Sequence, residues 1–182
     1  MDFKNIAFQL IFFMCFLSFC SLGETIKNNL KGEQISTSRG EYVIKQPVKI
    51  TLQKAQKILN TYDQLYRFMP GIYSSTVKST GKNYKIIDQV YKANYTFGLA
   101  IHAEVLMRKI SQNEVQYQLL KSDRIRALSG KILLKIIDDQ HVLVIHKINI
   151  KPAVPFFLKS VFFSRFKAKL AASRIKISEF FA

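Results

Sequence analysis

From Ile72 to Pro152, apolar and polar residues alternate in runs separated by short polar turns. A period of two marks strands with one buried face. The candidate strands are Ile72–Ser79, Tyr84–Lys92, Tyr95–Lys109, Glu114–Lys121, Ile125–Ile137 and Val142–Lys151. Thr80-Gly81-Lys82-Asn83, Ser111-Gln112-Asn113 and Asp138-Asp139-Gln140 read as hairpin turns between them. In the third strand Tyr95, Phe97, Leu99, Ile101, Ala103, Val105 and Met107 fall on one face. Thr96, Gly98, Ala100, His102, Glu104 and Arg108 fall on the other. In the last strand Val142, Val144, His146, Ile148 and Ile150 share a face.

Upstream, Glu24 to Gly40 is polar and reads as a linker or a loose first hairpin arm. Glu41 to Thr51 reads as a first strand, with Pro47 suited to an edge or a bulge. Thr51 then caps a helix whose apolar positions are Leu52, Ala55, Ile58 and Leu59. Asp63 is placed to cap a second short turn with Leu65, Tyr66 and Phe68, and Pro70 stops it. After Pro155 the period becomes helical. Phe162, Phe166, Leu170 and Ser173 form a stripe, widened by Phe157, Leu158 and Val161. Lys159, Arg165, Lys167, Lys169, Arg174 and Lys176 populate the rest of a broadly apolar, cationic helix of about 20 residues.

Three pieces carry a resemblance. The first is Ile58-Leu59-Asn60-Thr61-Tyr62-Asp63-Gln64-Leu65-Tyr66-Arg67-Phe68-Met69-Pro70-Gly71-Ile72, a helix and turn leading into a strand. The second is the strand series, with Gly130 entering the penultimate strand. The third is Val142 to Pro152, then Pro155 and the long helix. Together they span Glu41 to Lys176 and resemble the START-like (SRPBCC) helix-grip superfamily of polyketide cyclase/dehydrase, lipid-transport and coenzyme Q-binding proteins. The resemblance implies an α+β fold. A curved antiparallel sheet of about seven strands wraps around the long C-terminal helix, and two short helices follow the first strand.

It also implies an apolar cavity between sheet and helix. Inward candidates are Phe97, Leu99, Ile101, Val105, Tyr117, Leu119, Val144, His146 and Ile148 on strands. Phe157, Val161, Phe162, Phe166 and Leu170 would face them from the helix, and Met69, Pro70 and Gly71 would form the cavity mouth. The same residues also fit a close-packed core without a cavity, the ordinary state of protein interiors.

Composition adds the partner class. The formal net charge is +16, which favours anionic partners such as lipid headgroups or envelope polymers. Ile6 to Leu22 is a mostly apolar run after Lys4, and Ser21-Leu22-Gly23 ends it with small residues where a signal peptidase reads. The expected organisation is a signal peptide over 1–23, a polar arm over 24–40 and the START-like domain over 41–182. The expected location is outside the cytoplasm, in a bacterial periplasm or secreted. An uncleaved membrane anchor is the alternative. Export makes nucleic acid a poor partner.

Cys15 and Cys20 both lie in that leader, so the mature chain has no disulfide, thiol nucleophile or cysteine-held metal. No metal-binding histidine spacing, Gly-rich phosphate loop or nucleophile elbow occurs. No cofactor is expected. His146 is a candidate polar anchor or base, and a histidine in that setting is more often a hydrogen-bonded core residue.

The leading expectation is a monomer that binds a lipid or isoprenoid, with transport of that ligand as an extension. Lys159, Arg165, Lys167, Lys169, Arg174 and Lys176 would meet an anionic membrane. A cyclase/dehydratase enzyme acting through His146 or Tyr117 is the alternative. A membrane-surface or envelope-binding protein with a filled core is a further one.

Overall fold

Hairpins build most of this chain, and each turn is where the polar tetrads and triads place it. In the computed structural model, residues 33–38, 40–67, 69, 71–92 and 96–181 are described. The expected signal peptide lies outside the described residues. Strands are β1 (Glu33–Ser38), β2 (Glu41–Lys49), β3 (Ile72–Thr80), β4 (Tyr84–Tyr91), β5 (Ile101–Ser111), β6 (Glu114–Ser122), β7 (Ile125–Asp138) and β8 (His141–Pro152). Helix α1 spans Leu52–Asn60 and α2 spans Lys159–Phe181. No described helix is long and apolar enough to cross a membrane.

The strands form one eight-stranded antiparallel sheet in the order β1-β2-β8-β7-β6-β5-β4-β3. Strands β3 to β8 are a meander of hairpins. After β2 the chain crosses through α1 and a short turn to β3 at the opposite edge, and the meander brings β8 back to pair with β2. The eighth strand, β1, comes from the span read as a linker or hairpin arm. It pairs with β2 only as far as Lys45, so Pro47 lies beyond β1 and its missing N–H leaves no gap in that ladder.

Two expectations change at the junctions. The second short helix is a 3₁₀ segment, Tyr62–Arg67. Asp63 does not serve as its cap; its carboxylate instead binds Lys85 Nζ on β4 at 2.7 Å. The third strand starts at Ile101, not Tyr95. Phe97 and Gly98 both take positive φ, 57° and 77°, and make a tight turn closed by the Leu99 N–H donating to the Thr96 carbonyl at 3.1 Å. Alternation alone does not register a turn set by backbone dihedrals. Tyr95 itself lies outside the described residues.

Helix α1 starts where expected: the Thr51 hydroxyl accepts from the Lys54 N–H at 3.4 Å. The contact is long and exposed, so Thr51→Ala is expected to cost about 0.5–1 kcal/mol, read as a lower urea midpoint at unchanged slope. An unchanged midpoint would mean that water already serves that N–H. Ala55 and Leu59 are buried on the sheet side of α1.

Helix α2 buries Phe162, Phe166, Leu170, Ser173, Ile177 and Phe181, the predicted stripe extended by two turns. It lies mainly on β2, where the Phe166 ring meets Tyr42 at 5.2 Å, and Phe162 stacks on Phe166 at 5.9 Å. The sheet side of this layer is Ile44, Val105, Ile132, Val144 and Ile148 with their neighbours, one continuous apolar core.

Candidate functional site

Polar groups inside this core follow from strand register. Tyr117 on β6 lies opposite Gly130 on β7, which lies opposite Ile148 on β8. Gly130 has no side chain, so the Tyr117 ring passes over β7 and reaches β8. Its hydroxyl oxygen stands 2.9 Å from His146 Nε2 and 3.4 Å from the Lys147 carbonyl oxygen. Tyr117 and His146 are both buried. Burial pushes the His146 imidazole down to about 3, because the charged ring would sit far from water. Burial also raises Tyr117 well above the usual phenol range, and neighbouring Tyr91 raises it further. Gln89 and Tyr91 on β4 are buried as well, the Tyr91 hydroxyl donating to Gln89 Oε1 at 2.7 Å. At neutral pH these groups are uncharged. They can orient a hydroxyl or carbonyl but hold no ionised acid or base.

A cleft of about 320 Å³ opens beside this core, between α2 and the segment that joins the 3₁₀ turn to β3. Tyr66, Arg67, Met69, Gly71, Ile72, Tyr73 and Lys92 line one side. Lys169, Ala172, Ser173 and Lys176 of α2 line the other. Gly71 has φ 76°, a left-handed backbone that favours glycine, and its carbonyl accepts from the Lys92 N–H at 2.8 Å. That bond ties the lip of the cleft to the end of β4. Met69 and Ser173 are buried at the cleft floor.

Among the inward candidates, Ile101, Val105, Tyr117, Val144, His146, Ile148, Phe162, Phe166 and Leu170 are buried, and Leu119 is half-buried against the same core. Four others point elsewhere. Phe97 and Leu99 belong to the turn before β5 and are exposed, Phe97 lying under the Arg165 guanidinium at 5.1 Å. Phe157 sits in a 3₁₀ turn, Phe156–Leu158, before the regular helix begins, and is 76% exposed. Val161 is exposed on the flank of the helical stripe. Of the expected mouth, Met69 and Gly71 line the cleft and Pro70 lies outside the described residues.

The expected membrane-facing cations divide. Lys169 and Lys176 line the cleft, Arg165 covers Phe97, Lys159 stands over Phe156, and Arg174 Nε donates to Gln46 Oε1 at 3.4 Å. Lys167 is exposed. Sequence reading missed Gln89 and Tyr91, although their spacing from Ile87 places them on the buried face of β4. It also missed Arg67 and Lys92, which carry no periodic signal because both sit where elements end.

No family model matches the chain, and no curated protein matches it. Solved structures do. A protein from Thermus thermophilus superposes with TM-score 0.65 at 11% identity, covering 78% of this chain and 96% of that one. An aromatase/cyclase from a Streptomyces species gives 0.62 at 8% identity, covering 78% and 90%. A START superfamily protein from Mycobacterium smegmatis gives 0.60 at 10% identity, covering 76% and 97%. The chain has the START-like helix-grip fold: a curved antiparallel sheet gripping a long C-terminal helix.

Proposed function

We propose that this protein binds an apolar or amphipathic small molecule of the lipid or isoprenoid class between its sheet and α2. The ligand enters at the cleft beside Met69 and Gly71. The carrying observation is that cleft: it opens at the edge of a continuous apolar core, at the end where the helix meets the β3 lip. Concave sites that join an apolar wall to a few polar groups are the usual form of a small-molecule site. The buried Tyr117–His146 pair supplies a neutral polar anchor within the apolar layer.

The protein acts as an exported monomer that meets anionic membrane through its cationic surface. Phe156 is 84% exposed beside Lys159, and Phe157 follows it, so rings and cations stand together as they do in interfacial segments.

A second reading is favoured by the same buried pair: a cyclase/dehydratase acting through Tyr117 and His146. Proton-transfer catalysts work best with a pKa near the operating pH. Both groups here are shifted away from neutrality, which weighs against that reading. A third, a surface-binding protein with a filled core, needs no ligand at all.

Native mass spectrometry of the gently purified protein, with organic extraction, separates them. The expected result is a bound species that extracts as a lipid or isoprenoid. An empty protein whose melting temperature is also unmoved by a panel of lipids and quinones would sink the binding reading. Vesicle binding that then vanishes in moderate salt would point to the surface-binding one.

A further inference from the structure

Four cations converge on the cleft from separate parts of the chain. Arg67 ends the 3₁₀ turn, Lys92 follows β4, and Lys169 and Lys176 lie two turns apart on one face of α2. No carboxylate is among the residues that line the cleft. Elsewhere the cations facing acids are paired: Lys78 with Glu104, Lys85 with Asp63, Lys131 with Glu114. Among the described residues none of the four cleft cations makes such a pair. A concave site walled by one sign of charge focuses its field and draws in the opposite charge. Below the cations the floor turns apolar at Met69, and the Ser173 hydroxyl there donates to its own helix, to the Leu170 carbonyl at 2.7 Å. Head and tail of an amphiphile therefore meet different walls.

We infer that the cleft selects an anionic amphiphile, its carboxylate or phosphate head held by Arg67, Lys92, Lys169 and Lys176 and its chain directed past Met69 beneath α2. This rests on the proposed binding of an apolar ligand and names the head group that ligand carries. Arginine and lysine are the natural partners of such heads through charge-assisted hydrogen bonds.

The test is a fluorescence displacement assay on the full mature chain with three probes: a long-chain fatty acid, the alcohol of the same chain length, and inorganic phosphate. The acid is expected to bind about tenfold or more tighter than the alcohol, roughly the size of one hydrogen bond to a charged group. In Lys169→Gln/Lys176→Gln that preference is expected to disappear while alcohol binding stays. Lys121→Gln/Lys135→Gln, which removes two exposed lysines that do not line the cleft, is expected to keep it. Equal affinity for acid and alcohol would overturn the head-group selection and leave apolar binding standing. Binding of neither chain would overturn both. Inorganic phosphate binding as tightly as the acid would overturn the amphiphile and leave a free-anion site. Circular dichroism of both double variants checks that each is folded.

Discussion

Gly130→Val is expected to leave the protein without a stable native sheet at 25 °C, and Gly130→Ala to cost about 3 kcal/mol or more. The reason is a close approach, not a special backbone angle. A Cβ on Gly130 would lie well inside contact distance of the Lys147 carbonyl oxygen and the Tyr117 hydroxyl and ring. The carbonyl is ladder backbone of β8 and cannot move alone, while the ring is fixed by its contact with His146. In compatible sites alanine gains about 0.4–1 kcal/mol by restricting the unfolded chain, which is far short of the clash. Domains of this kind are stable by only about 5–15 kcal/mol, so a valine is enough to tip the balance. Urea unfolding measures it. An alanine variant within about 1 kcal/mol of the parent would show that Tyr117 does not cross β7 here. Combining Gly130→Ala with Tyr117→Leu is expected to recover only part of the loss, because the Lys147 carbonyl remains.

Acid is expected to destabilise the protein strongly through one buried ring. In the unfolded chain His146 takes up a proton below its ordinary 6.5; in the folded protein burial defers that to about 3. Its contribution is therefore complete above pH 6.5 and is lost as pH falls, at about 1.4 kcal/mol per pH unit. Carried down to pH 3, that sums to about 4–5 kcal/mol, comparable with the whole stability of a marginal domain. Two carboxyls add to the acid loss only lower down. The backbone N–H of Gln140 and His141 beside it hold Asp138 below its ordinary 3.8, and the Gln116 amide and Lys131 hold Glu114 below its ordinary 4.5. The window from pH 6.5 to 4.5 thus reports the histidine. Urea midpoints of the parent and of His146→Leu across that window make the comparison. The gap between the two is expected to move in favour of the leucine variant by about 1.4 kcal/mol for each unit of acidification. Parallel curves would mean that the ring is already solvated or charged in the folded protein.

What local pattern determines was legible in the sequence. Strands β4 and β6 to β8 lie within a residue or two of the expected limits, because a period of two reports a half-buried ladder without knowledge of its partners. The stripe Phe162, Phe166, Leu170 and Ser173 was legible for the same reason at the helical period, and the Thr51 cap from one residue's chemistry. Tertiary structure decided the rest. Phe97 and Leu99 follow the alternation of β5 in sequence, yet positive φ at Phe97 and Gly98 turns them out of the sheet, and no hydrophobic pattern encodes a dihedral. Phe157 joins the stripe only if the helix starts at Pro155; a 3₁₀ turn intervenes and shifts it to solvent.

The site depends on register most of all. Tyr117 reaches His146 over Gly130 because three strands hold that register, and a slip of one position on any of them would turn that strand's side chains to the other face. The cationic cleft is assembled from a 3₁₀ turn, a strand end and a helix face far apart in sequence. Net charge and the basic helix were visible in the chain itself; the convergence of Arg67 and Lys92 on Lys169 and Lys176 exists only once the sheet has curved around the helix, because charges so distant in sequence become neighbours through packing alone.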